Sequence, residues 1–97
     1  MQSHSQLLAG FAARLRLARV ARGFTSLRAL AKALDLDRER LKKWEQGVAW
    51  PRTPEAYRLC HTLGVTSDWL LFGDPKGLSA DAYQLLIVSP PDISNGA

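Results

Sequence analysis

Between Ser26 and Gly47 the chain sets two helix starts and two helix stops so close together that only short helices joined by a tight turn fit. The Ser26 hydroxyl can accept a free amide hydrogen from the first turn of a helix over Leu27 to Leu34. Leu30, Ala31 and Leu34 then share one side, and Arg28 and Lys32 the other. The pattern breaks at Asp35 and Leu36. Asp37 next offers a carboxylate to open a helix from Arg38 to Gln46, which Gly47 closes. On that helix Leu41 and Trp44 point inward, while Arg38, Glu39, Arg40, Lys42 and Lys43 point out.

The flanks continue in the same style. Ser5 is expected to cap a first helix reaching about Arg22, with Leu8, Phe11, Leu15 and Ala18 on its apolar side, Arg14, Arg16, Arg19 and Arg22 on its polar side, and Gly23 as its stop. Val48 to Arg52, with Trp50 and Pro51, is a loop. Thr53, Pro54 and Glu55 start a fourth helix, ended by Gly64, with Ala56, Leu59, Cys60 and Leu63 on one side. Thr66, Ser67 and Asp68 open a short fifth helix carrying Trp69, Leu70 and Phe72, ended by Gly73. Ser79 is placed to cap a last helix through Val88, whose Tyr83, Leu86 and Ile87 need covering; residues 89–97 are expected to fray into solvent. No stretch alternates as a strand would, so the fold class is all-α. At 97 residues the chain supports one core. The expected division is residues 1–73 as the main domain and 74–97 as an extension that serves dimerisation or packing.

Charge is distributed unevenly. Residues 1–52 hold 11 of the 13 Lys and Arg but 4 of the 9 Asp and Glu, leaving +7 there and −3 in the remainder. A polyanion suits the first part, and nucleic acid leads over an acidic protein or an anionic membrane surface. The lone Cys60 excludes an internal disulfide, and no long apolar run suggests a membrane span, so a reducing cytoplasm is the expected location.

Two short capped helices, the second rich in exposed cations, can deliver that second helix to a major groove, which admits one α-helix. Arg and Lys suit guanine edges, and Glu can accept from cytosine. Asp37 and Glu39 would repel phosphate, which argues against indiscriminate binding. An exposed helix with alternating charges is also a common solvated surface, so the charges alone do not decide.

Four pieces in order carry a family resemblance: RLRLARVARG closing the first helix, SLRALAKALDL across the second helix and turn, WEQG closing the third, and LGVTSDWLLFGD closing the domain. Residues 14–73 thereby resemble the Cro/repressor-type (Xre-like) helix-turn-helix family. The resemblance implies a five-helix lambda-repressor-like bundle, here with an additional short C-terminal helix, that regulates transcription as a homodimer on inverted-repeat operators in double-stranded DNA. It implies no cofactor, no metal and no enzymatic activity, and a nucleoid-associated location in a prokaryote or its phage.

Matched position by position, the resemblance assigns Arg38, Glu39, Lys42 and Lys43 to base and near-base contacts. It assigns Ser26, Leu27, Arg28, Arg40, Gln46 and Arg52 to the DNA backbone. Family members often carry Gln where Leu27 stands, to touch a phosphate and brace a reader. Arg19 and Glu45 match a structural pair tying the first helix to the end of the recognition helix. Two departures stand out: the stretch Gly23 to Leu30 is one residue longer than usual, and Asp35 replaces the Gly of the turn, which Asp tolerates because it enters the left-handed region more readily than most residues.

Competing readings carry less. Cys60 and His61 are adjacent on a helix, point about 100° apart and have no third ligand cluster. His4 is expected in a mobile terminus. Trp44 and Trp69 fall at core positions, leaving Trp50 as either a surface contact or a cover for the core edge. The 24 residues after Gly73 are too few for the serine peptidase domain that some relatives append. Two functions therefore remain: a sequence-specific transcriptional regulator, most simply a repressor of phage-repressor-like or antitoxin-like kind, and a protein-interaction module that keeps the fold without operator binding.

Overall fold

The computed structural model describes residues 2–93. Six helices follow one another: α1 (His4–Ala21), α2 (Leu27–Leu34), α3 (Arg38–Glu45), α4 (Thr53–Leu63), α5 (Ser67–Phe72) and α6 (Ala80–Tyr83), the last running on as a wider π-helical stretch, Gln84–Val88. No strand occurs among the described residues.

Helix α1 is the axis of the bundle. Phe11, Leu15 and Ala18 are wholly buried, and Leu17 and Ala21 on another side also pack against the core. A helix that is apolar on several sides needs several neighbours. Helix α1 packs on α3, α5 and the π-helical stretch. Its cap is Ser3 rather than Ser5. The Ser3 hydroxyl accepts from the Gln6 amide at 3.2 Å, and the Gln6 side chain accepts from the Ser3 amide at 2.8 Å. Ser5 has Leu8 three residues on and could not form that reciprocal pair. His4 is thus the first helical residue, not part of a loose terminus, and its ring meets Trp50 edge-on at 6.1 Å.

The arginines of α1 do not form a polar face. Arg14 donates to the Leu70 and Leu71 carbonyls, both at 3.0 Å, and Arg22 donates to the Leu63 carbonyl at 2.8 Å and to Asp81 at 2.8 Å. Arg19, 2% exposed, donates to the Phe24 carbonyl at 2.8 Å and to both Glu45 oxygens at 2.7 and 3.3 Å. The last carbonyls of a helix lack partners within it and attract cations, so Arg14 and Arg22 cap α5 and α4 from the side. Gly64 makes room for this: its φ is +67°, and a Cβ there would lie 2.8 Å from Arg22 Nη2.

Local chemistry explains the remaining boundaries. Ser26, Thr66 and Ser79 each accept the amide hydrogen three residues on, at 3.1 Å, from Ala29, Trp69 and Ala82. Asp37 accepts from the Glu39 amide at 3.0 Å. Asp35 takes the left-handed conformation, φ +56° and ψ +46°, and lets Leu36 donate back to the Ala31 carbonyl at 2.9 Å. Gln46 is the C-terminal cap of α3, so the helix is one residue shorter than expected. Thr53 lies inside α4, whose cap is Arg52, with the Glu55 side chain accepting the Arg52 amide at 2.9 Å.

The tail differs from expectation in which side chains it buries. Ala82 and Leu86, four residues apart, enter the core, while Tyr83 and Ile87 stay 42% and 39% exposed. A small side chain at position 82 permits close approach to the bundle. Nor does the chain fray directly after Val88. Ile93 lines a cleft with Ala9, Ala12 and Ala13 of α1. The rest of the stretch expected to fray, 94–97, lies outside the described residues. No helix among the described residues is long and apolar enough to cross a membrane.

Candidate nucleic-acid interface

Helix α3 holds its orientation through Leu41, wholly buried, and Trp44, 2% exposed. These anchors leave two ridges outward: Arg38 with Lys42, and Glu39 with Lys43, each pair four residues apart. Arg38 and Glu39 are half or more exposed and meet loosely at 3.5 Å. Lys43 is exposed and Lys42 half-buried.

Three clefts flank this surface. The first, about 590 Å³, lies between the start of α2 and the start of α3 and is lined by Thr25, Ser26, Leu27, Arg28 and Arg38. The second gathers Lys42, Gln46, Leu27 and Arg16 over the Arg19–Glu45 pair. The third, on the other side of α3, brings Lys43, Arg40 and Arg52 together around Glu55, with Trp44 and Trp50 behind. Residues assigned to the same role from separate stretches of sequence thus meet on one surface.

Individual side chains qualify the assignments. Leu27 is partly buried against the core, so any phosphate contact there falls to its backbone amide at the start of α2. Arg40 is 53% exposed but ion-paired with Glu55. Trp50 packs on Phe11 with ring centroids 5.3 Å apart and planes tilted by 32°, and covers the core edge. Thr25 and Arg16 also line the clefts; Thr25 could have been singled out as the hydroxyl residue preceding the Ser26 cap. For Arg16, only the bundle reveals that one arginine of α1 reaches this side.

Away from this surface, Cys60 is half-buried and burial pushes its thiol up, while exposed His61 stacks on Tyr57 at 6.2 Å. The described residues contain no group of three His, Cys, Asp or Glu side chains able to hold a metal.

Glu55 ties α3 to α4. Burial alone would raise its pKa, but the hydrogen bond from the Arg52 amide and the hydrogen bond and charge of Arg40 hold it below the ordinary value of 4.5. A depressed folded-state pKa contributes stability above the unfolded value and loses it as pH falls through the folded one. The stability difference between wild type and Glu55→Gln is therefore expected to stay constant from pH 7 to about 5 and to shrink below about 4.5. Urea unfolding across that range measures it, and a pH-independent difference would refute the tether.

A family model described as a helix-turn-helix domain matches residues 12–74. The match contains α2, α3, their turn and the clefts on either side. No curated protein and no solved structure matches the chain. With two-thirds of its length under that match and the two capped helices set as the motif requires, the chain belongs to the helix-turn-helix domain family.

Proposed function

We propose that the protein is a sequence-specific transcriptional regulator, acting as a repressor, that binds an inverted repeat in double-stranded DNA as a homodimer. In this reading α3 enters the major groove. Arg38, Glu39, Lys42 and Lys43 meet base edges or their immediate surroundings. Ser26, the Leu27 amide, Arg28, Arg40, Gln46 and Arg52 hold the sugar-phosphate backbone, and the Arg19–Glu45 pair fixes the angle between α1 and α3.

The observation that carries the reading is the convergence of Arg28 and Arg38 on the open start of α2, with Lys43, Arg40 and Arg52 on the opposite side of α3. Two cationic walls around a helix that projects Arg38 and Glu39 match a groove bordered by two phosphate strands. Glu39 between them penalises misplaced phosphate and favours a defined register.

Selection of purified full-length protein on a random duplex library at about 150 mM salt tests this. The expected product is an inverted repeat whose half-sites are centred roughly 10 base pairs apart. An enriched site without two-fold symmetry would remove the dimer and keep the reader. Absence of any enriched site would leave the interaction module.

A further inference from the structure

The stretch after Val88 runs back across α1. Pro90 and Pro91 fix two successive φ angles and supply a stiff extended rod, so placing the next residues costs little conformational entropy. Ile93, at its end, is half-buried and lines an open cleft of about 370 Å³ together with Ala9, Ala12 and Ala13 of α1 and with Glu45, Gln46 and Gly47. The three α1 residues have small side chains, and the other three lie at the last turn of α3. Each amide of that turn donates: Gln46 to the Lys42 carbonyl at 2.9 Å, Gly47 to Trp44 at 3.2 Å and Val48 to Lys43 at 3.0 Å, so opening the turn registers at three named amides. Arg16, Glu45 and Gln46 line both this cleft and the neighbouring one that contains Lys42.

We infer that the strap 89–93 is a latch on the end of α3, with Ile93 as its bolt, so that seating or releasing the strap tunes the DNA-reading surface. The link to DNA rests on the function proposed above; the latch itself does not. A partner that captured the Pro-Pro rod would be read out at Gln46 and Lys42, because binding and latching then draw on the same segment.

Ile93→Asp in the full chain, followed by hydrogen exchange, tests it. Exchange at the Gln46, Gly47 and Val48 amides is expected to accelerate about tenfold, while the α4 amides of Leu59 and Leu63 keep their wild-type rates. Affinity for the duplex enriched by selection is expected to fall several-fold. Ile93→Leu should restore both, and Pro90→Gly with Pro91→Gly should give a smaller acceleration at the same amides. Unchanged exchange in Ile93→Asp, or equal acceleration throughout the bundle, overturns the latch. If accelerated exchange at the end of α3 came with no enriched duplex, the latch would stand and the DNA-binding function would fall.

Discussion

Glu45→Ala is expected to lower the stability of the protein by about 3–5 kcal/mol, because it strands a buried guanidinium. Arg19 is 2% exposed and Glu45 9%, and their contact is bidentate. Once Glu45 is removed, the Arg19 charge keeps the Phe24 carbonyl but loses its counter-ion in a site with almost no water. At about 4–8 °C per kcal/mol for a domain of this size, the melting midpoint should drop by more than about 10 °C. The double variant Arg19→Met, Glu45→Met removes both charges and is expected to recover much of the loss. Urea unfolding of Arg19→Met, Glu45→Met and the double variant completes the cycle. A Glu45→Ala variant within about 1 kcal/mol of wild type would mean that the pair is not a clamp between α1 and α3.

The second large effect concerns reading. Arg38→Ala is expected to weaken binding to a selected site by about 1–3 kcal/mol, roughly 5- to 150-fold, and to relax preference at one base pair in each half-site. Arg38 opens α3, is half exposed, and has only a long contact to Glu39 to give up, so its guanidinium is available to a guanine edge. Lys43 borders the Arg40–Arg52 cleft and provides the contrast. If it meets phosphate, Lys43→Ala weakens all sequences about equally; if it meets a base, one position relaxes. Binding of both variants to the selected site and to every single-base change in it separates these outcomes. Uniform weakening in Arg38→Ala would remove it from the set of readers.

What could be read from the sequence follows the range of the forces involved. Caps act over three residues, and Ser26, Asp37, Thr66 and Ser79 stand where expected. The left-handed Asp35 was legible for the same reason: tight turns draw on a short set of residues. Ser3 was missed in favour of Ser5 because the capping box needs Gln6 as well as a hydroxyl. The inward turn of Arg14 and Arg22 was not legible, since their partners lie from 41 to 59 residues away along the chain. A periodic Arg reads as solvent-facing until a helix end arrives beside it. The tail followed the same logic, as Ala82 joined the expected Leu86 in the core only once the bundle supplied the opposite surface. At the candidate interface the outward side of α3 could be read from the helix pattern, and the grouping of its residues with Arg28, Arg52, Thr25 and Arg16 into clefts could not, because these reach α3 through the fold.

The inward turn of the α1 arginines has a consequence for ions in solution. Each phosphate neutralised by a protein cation frees about 0.9 of a condensed counterion. Counting every basic residue of the first 52 would credit a protomer with 11 such exchanges and a logarithmic salt slope of about −10. Arg14, Arg19 and Arg22 are already committed to carbonyls and carboxylates within the bundle, which leaves at most eight and a slope no steeper than about −7. A protein whose cations are spent partly on its own helix ends releases its target less abruptly as ionic strength rises than its composition implies.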